Sequence, residues 1–238
     1  MKGGNYMGYT RAAIHDRCVK ALETPHLFYR EDFINYTGRC TDTDEFYTEV
    51  VAEFVCDHID VFLQDIPQIT RQTTYKTPTH KGVFNPNSKR KEEITAMMMF
   101  NFCDKDGGRY DFIGKIIDYQ TPLKNKQTDE AGKIDLLAYD GISLRLLELK
   151  KPDTDETMLR CVMEGFTYLE TVDKEKLIEN FGLPSETKVV ACPFVFADSG
   201  PHLEMLEDRP HLKRLMALLN SKPYYIKQDN GLFTVTEE

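Results

Sequence analysis

No tryptophan, no CxxC pair and no apolar run of bilayer length occurs in this chain of 238 residues. Without such a run no transmembrane helix is expected, and no membrane partner. None of the six histidines stands at ligand spacing from a cysteine pair, which argues against a zinc site. The six cysteines (Cys18, Cys40, Cys56, Cys103, Cys161 and Cys192) are scattered, and read as reduced, mostly buried residues of a cytoplasmic protein. The opening Met1-Lys2-Gly3-Gly4-Asn5-Tyr6 lacks an apolar stretch and a cleavage site, so no signal peptide is expected. Composition is otherwise that of an ordinary soluble globular protein, 41% hydrophobic and 29% charged, and the length suits one sizeable domain or two small ones.

Positive charge is also scarce: 30 Lys and Arg stand against 39 Asp and Glu, a net charge of −9. That balance argues against a protein that coats nucleic acid non-specifically. The shortage is uneven. Ile66 to Lys91 holds no acidic residue and six basic ones, Arg71, Lys76, Lys81, Lys89, Arg90 and Lys91, with Tyr75 and Phe84 among them. Such a segment is either a solvated basic loop or a phosphate-contacting arm. An arm on an acidic protein suits an enzyme that grips its substrate locally and releases it.

No internal repeat or low-complexity segment is present. Thr10 to Leu22 has weak helical patterning. Asp42-Thr43-Asp44-Glu45 opens a stronger helix with Phe46, Val50, Phe54, Val55, Ile59 and Phe62 at helical spacing, ended by Pro67. A third helix is expected from Asn87-Ser88 to about Phe102, followed by a turn at Asp106-Gly107-Gly108. Strands are then expected over Phe112–Tyr119, Ile134–Tyr139 and Ser143–Leu149. Asp153 and Glu156 form a capping box for a helix with Leu159, Val162, Met163 and Phe166 on its core face. Lys188–Phe196 is apolar throughout, as in a strand covered on both faces. Asp208-Arg209-Pro210 starts a last helix, with Leu212, Leu215, Met216 and Leu219 on one side. Tyr224–Ile226 and Leu232–Val235 close the chain as a hairpin through Asn230-Gly231. The fold class implied is α/β, a central mixed sheet flanked by helices.

Chemistry is concentrated between Gly132 and Lys150. Asp140-Gly141 is a strong hairpin signal. With a two-residue turn there, Tyr139 pairs with Ile142 and Asp135 with Leu146, leaving Glu148 diagonally adjacent to Asp135. Alternation then places Asp135, Glu148 and Lys150 on one sheet face beside apolar Leu137, Ile142, Leu144 and Leu146. Two carboxylates on such a face repel each other unless something compensates. Mg²⁺ (or Mn²⁺) is a natural partner, since it takes oxygen ligands from one or two carboxylates with waters and phosphate oxygens. A neighbouring lysine can orient an attacking water or neutralise charge on a phosphate. The plainer alternative is a solvent-facing strand end carrying a Glu148–Lys150 ion pair. Asp118 is a second acid that could compete with Asp135 for a metal, although it reads as the end of a strand.

Asp135 followed across a hairpin by Glu148-Leu149-Lys150 resembles the signature of the PD-(D/E)xK nuclease superfamily. The order helix, three strands, helix, strand from Ser88 to Phe196 is similar to that family's core, of restriction-endonuclease-like fold. The resemblance implies Asp135 and Glu148 as metal ligands, the Leu149 carbonyl as a further one, and Lys150 as the residue serving the attacking water. It also implies a glutamate from the first core helix, for which Glu93 is chosen over Glu92 because Met97 and Phe100 follow at i+4 and i+7. Some branches carry Gln-x-x-x-Tyr on the helix after the third strand. Glu164 and Tyr168 stand at that spacing here, with Glu where Gln is usual; the ladder Glu156, Arg160, Glu164 offers a surface salt-bridge stripe as the competing reading.

Residues 1–86 are accordingly expected to form an N-terminal helical extension and basic connection, and 87–238 the nuclease-like core with its C-terminal helix and hairpin, together one compact domain. The function implied is metal-dependent hydrolysis of phosphodiester bonds in DNA or RNA. Lys89, Arg90 and Lys91 are the expected nucleic-acid contacts, and a homodimer is compatible with such an enzyme. Two other classes fit the same residues: a non-cleaving nucleic-acid-binding or regulatory protein on this fold, and a protein-interaction module built on the N-terminal helices. Retention of Asp135, Glu148 and Lys150 together favours the enzyme.

Overall fold

Residues 8–83, 85, 87–126, 129 and 131–237 are described by the computed structural model; Met1–Tyr6 and Phe84 lie outside them. Among these residues one six-stranded sheet runs in chain order: β1 (Lys115–Pro122), β2 (Lys133–Tyr139), β3 (Ser143–Leu149), β4 (Lys188–Phe196), β5 (Tyr224–Asp229) and β6 (Leu232–Thr236). β1, β2 and β3 are antiparallel neighbours, β4 lies parallel to β3 and β5 parallel to β4, and β6 returns antiparallel to β5. The α/β class with a mixed sheet flanked by helices is the one the sequence pattern implied.

The helices are α1 (Arg11–Ala21), α2 (Tyr47–Asp57), α3 (Ile59–Asp65), α4 (Lys91–Asp104), α5 (Met158–Thr171), α6 (Lys174–Phe181), α7 (Gly200–Met205) and α8 (Pro210–Leu218). Two short 3-10 turns, Pro25–Arg30 and Asp32–Asn35, follow α1. One face of the sheet packs on α5, whose Leu159, Val162, Met163 and Phe166 are buried beside Leu137, Leu144 and Leu146. Each such side chain withdrawn from water contributes about 1.5–3 kcal/mol. The same apolar cluster takes in Ile14, Phe28, Phe33 and Val51 from the N-terminal layer and Leu212 and Leu215 from α8. The opposite face packs on α4, through Met99 and Phe100 against Leu136, Leu147 and Phe194.

Polar contacts fasten the N-terminal layer to the end of the chain. Glu49 of α2 accepts from the His211 and Leu212 N–H groups at 2.8 and 2.9 Å, capping α8 from outside. Buried Arg209 donates to Thr48 at 2.6 Å and lies 3.4 Å from Glu204. Glu204 in turn accepts from Thr48 and from the Met158 N–H.

Several boundaries differ from the sequence expectations, each for a local reason. The strand expected from Phe112 begins at Lys115, because Phe112 adopts φ 64° in a turn closed by Gly114. Gly114 is needed there: a Cβ would sit 2.3 Å from the Tyr139 carbonyl oxygen. The helix expected from Asn87-Ser88 begins at Lys91, since Asn85 and Ser88 bond the Asn87 and Arg90 N–H groups and hold the chain in turns. The Asp153–Glu156 capping box does not form. Thr154 bonds the Glu156 N–H instead, and Thr157 caps α5 through the Arg160 N–H. The helix expected from Asp42 opens at Tyr47 and breaks at His58 into α2 and α3, while Asp42 accepts from the Arg11 N–H. α6 and α7 lie in stretches to which the sequence reading gave no element.

Candidate active site

β2 and β3 are laddered from Tyr139↔Leu144 to Leu136↔Leu147. The turn consumes four residues because Asp140 Oδ1 accepts from both the Ile142 and Ser143 N–H groups at 2.8 Å. Ile142 is thereby exposed in the turn rather than placed on the sheet face. The register is shifted by two residues from the expected one, so parity is unchanged and Asp135 falls opposite Glu148 itself. Past Leu136 the ladder gives way to a side chain: Asp135 Oδ2 accepts from the Leu149 N–H at 3.0 Å, and Oδ1 accepts from Gln120 Nε2 at 2.8 Å.

Glu148 and Lys150 lie on the face toward α5 and are buried. The Lys150 ammonium has three protons and three carboxylates around it: Glu148 at 2.7 Å, Glu156 at 2.9 Å and Glu164 at 3.0 Å. Glu164 also accepts from the Tyr168 hydroxyl at 2.8 Å and lies 3.4 Å from Arg160. Asp135, Glu148, Glu156 and Glu164 thus share one region with two cations, Lys150 and Arg160; Glu148 and Glu164 are buried in it, and Asp135 and Glu156 half-buried. When all are ionised, negative charge is in excess.

Burial and the surrounding charges set the acidities. Burial pushes Asp135 up to about 7, helped by the charges of Glu164 and Glu92 and opposed by Lys150 and the Leu149 N–H. Burial, then Glu164 and Asp135, raise Glu148 well above the usual carboxylate range. For Glu164 burial acts upward, but Lys150, Arg160 and Tyr168 together hold it below its ordinary value. Burial alone would lower Lys150, yet Glu148 and Glu164 hold its ammonium far above the ordinary lysine value. Lys150 is therefore a fixed cation rather than a proton acceptor.

The structure brings together Asp135, Glu148, Lys150, Glu164 and Tyr168, as their spacing suggested. It does not bring Glu93 to them. Glu93 pairs with Arg90 at 3.2 Å in the first turn of α4, whereas Glu92 accepts from the Lys151 N–H at 3.1 Å. Glu92 is thus the acid of α4 that stands beside the cluster. Asp118 is engaged elsewhere: His80 Nδ1 lies 2.7 Å from Oδ1, and Thr121 donates to Oδ2. The Glu156–Arg160–Glu164 ladder is not an exposed stripe, because Glu164 is buried and Glu156 turns to Lys150. Sequence reasoning missed Gln120, Glu156 and Arg160 as members of the cluster; the ladder spacing was the signal for the last two.

Lys89, Arg90 and Lys91 are exposed at the start of α4. Lys91 lies 3.7 Å from Asp153, just beyond the end of β3. Arg71, at the other end of the basic stretch, donates to the Lys124 carbonyl just beyond β1. Arg71 and Lys91 therefore both lie near the end of the sheet that carries Asp135 and Lys150. Two cavities flank the cluster, one of about 250 Å³ reaching Glu156 and one of about 140 Å³ reaching Tyr168. A larger cavity of about 610 Å³, lined by Arg39, Glu49 and His211 among others, contains none of the cluster's residues.

Among the described residues no three His, Cys, Asp or Glu side chains are placed to hold a metal by themselves. What the cluster offers is two carboxylates, Asp135 and Glu148, with a backbone carbonyl at Leu149. In an extended strand a residue's N–H and C=O leave on the same side, and the Leu149 N–H faces Asp135. This donor set, with its excess negative charge, fits Mg²⁺ or Mn²⁺, which use one or two carboxylates and complete the shell with waters. The six cysteines are all buried and unbonded to one another, and no helix among the described residues is long and apolar enough to cross a membrane. In comparisons with known proteins, no family model, curated sequence or solved structure matches the chain.

Proposed function

We propose that this chain is a metal-dependent nuclease of the PD-(D/E)xK type, hydrolysing phosphodiester bonds in DNA or RNA. The observation that carries this reading is the convergence of Asp135, Glu148 and Lys150 from adjacent strands, where the β2–β3 ladder opens, with Glu164 and Tyr168 closing over them from α5. The element order supports it too: α4, the antiparallel β1–β3, α5, then β4 parallel to β3. On this reading the core is restriction-endonuclease-like and residues before α4 are an N-terminal helical extension.

Asp135, Glu148 and the Leu149 carbonyl would hold Mg²⁺ or Mn²⁺. A divalent cation so placed supplies charge neutralisation at a phosphate and a more acidic water. Lys150, a cation at the pH of the cell, orients that water or balances charge on the phosphate. Glu164, with Tyr168 behind it, fixes where the ammonium points. Lys89, Arg90 and Lys91 would take phosphates along the strand outside the site.

The experiment is cleavage of single- and double-stranded DNA and RNA oligonucleotides of mixed sequence with Mg²⁺ or Mn²⁺. Cutting of at least one substrate, abolished by EDTA, by Asp135→Asn and by Glu148→Gln, is expected. One observation favours the non-cleaving reading on the same fold: the Lys150 ammonium already donates to Glu148 and Glu164, with Glu156 a third carboxylate 2.9 Å away. Intact oligonucleotides under all these conditions would select that reading.

A further inference from the structure

We propose that Gln120 is a positioning residue, held in an unfavourable backbone conformation so that its amide fixes the Asp135 carboxylate for metal binding. This rests on the functional reading above. Two independent departures from regular strand geometry converge on one hydrogen bond. The first is a bulge in β1: Ile116 pairs with Ala138, but Asp118 pairs with Leu137, so Ile117 has no partner. Had the register of Ile116 continued, Tyr119 would fall opposite Asp135. The extra residue moves Gln120 there instead, between Tyr119↔Leu136 and Thr121↔Ile134. Re-aiming a side chain beside a site is a characteristic use of a bulge.

The second departure is at Gln120 itself, which has φ 49°. Among the described residues, six other than glycine take positive φ, and four of these are Asp or Asn, which tolerate it. Phe112 lies in an exposed turn. Among them Gln120 is therefore the one that keeps a left-handed backbone within a strand, where no short polar side chain explains it. Such outliers persist where the surroundings over-determine them, and they gather at sites. An ionised carboxylate only accepts, so the amide NH₂ must face it, as it does at 2.8 Å. With the Leu149 N–H on the other oxygen, Asp135 is gripped from β1 and β3 at once. Both oxygens of its carboxylate are thus held in place, opposite Glu148 in the register of β2 and β3.

The test uses Gln120→Gly and Gln120→Asn in the full chain. Both residues accept left-handed backbone, and neither carries an amide that reaches Asp135, because asparagine is one methylene shorter. Melting in EDTA measures the fold, and calorimetric titration with Mn²⁺ alone measures the site, with Asp135→Asn as the reference for a lost site. Gln120→Gly is expected to melt no lower than the unchanged chain in EDTA, while Mn²⁺ affinity falls roughly 10–100-fold in both variants, as for the loss of an outer partner of a ligand. Unchanged Mn²⁺ affinity in either variant, with Asp135→Asn still abolishing binding, overturns the role of Gln120 and leaves the functional reading standing. Lower melting of both variants in EDTA makes Gln120 a structural residue and likewise overturns it. An unchanged chain that takes up no Mn²⁺ overturns both readings together.

Discussion

Replacing Lys150 by methionine removes the ammonium that stands among three carboxylates while nearly keeping the volume of the side chain. Glu148, Glu156 and Glu164 lie 2.7, 2.9 and 3.0 Å from it, and Glu148 is 5% exposed. Breaking a buried pair by deleting one partner typically costs about 3–5 kcal/mol, because the other charge is left buried and unpaired. Arg160 remains near Glu164, so the effect belongs at the lower end, about 3 kcal/mol. For a chain of this size each 1 kcal/mol moves the melting temperature by about 2–4 °C, giving a fall of about 6–12 °C. Urea unfolding followed by circular dichroism, with Lys150→Met, Glu164→Gln and the double variant, isolates the coupling. The double variant should be less destabilised than Lys150→Met alone, since one unpaired charge has gone with its partner. Mn²⁺ should restore part of the stability of Lys150→Met, by binding the native state where negative charge is now uncompensated. A Lys150→Met variant within about 1 kcal/mol of the unchanged chain would refute the reasoning, because an exposed ion pair gives no more than that.

Neutralising Lys89, Arg90 and Lys91 together should weaken nucleic-acid binding and flatten its salt dependence by about one unit of slope per lost phosphate contact, read by fluorescence anisotropy against salt. The fold should barely notice, since the pairs with Glu93 and Asp153 are on the surface; an unchanged slope would return the segment to a solvated loop. Gly231→Ala places a Cβ at φ 82° with nothing within 4 Å, so its effect is backbone alone, a loss of about 1–2 kcal/mol in urea unfolding. A neutral result there would mean the hairpin turn is not held as described. Burial raises Glu204, with Glu207 adding to it and the Met158 N–H, Thr48 and Arg209 opposing. A carboxyl raised in the folded chain stabilises it below the unfolded value and loses that contribution as pH climbs through the folded value. Glu204→Gln should therefore gain melting temperature relative to the unchanged chain as pH rises from its ordinary 4.5; parallel curves would contradict this.

Much of the fold was legible because it depends on parity and period. β3 and β4 fall at the expected bounds, and the apolar stripe of α5 is buried as its spacing required. The face shared by Asp135, Glu148 and Lys150 survived a turn that was misjudged, because Asp140 lengthened the loop by two residues and a shift of two keeps every side chain on its side. Helix starts were misread where Asn85, Ser88 and Thr154 satisfy nearby N–H groups outside any helix. Such competition has no periodic signal. The choice of Glu93 failed for a related reason. It shares a stripe with Met97 and Phe100, but in the first turn it meets Arg90, and Glu92 reaches the end of β3 instead. Gln120 was hidden altogether, since a one-residue bulge at Ile117 breaks the alternation from which facing residues are read.

The most direct test of the site is anomalous diffraction from crystals soaked in Mn²⁺. A peak between the carboxylates of Asp135 and Glu148, within ligand distance of both and lost in Asp135→Asn, is the expected result. Occupied Mn²⁺ elsewhere in the crystal with no peak between those two carboxylates would leave Asp135, Glu148 and Lys150 as a structural ion cluster and contradict the nuclease assignment.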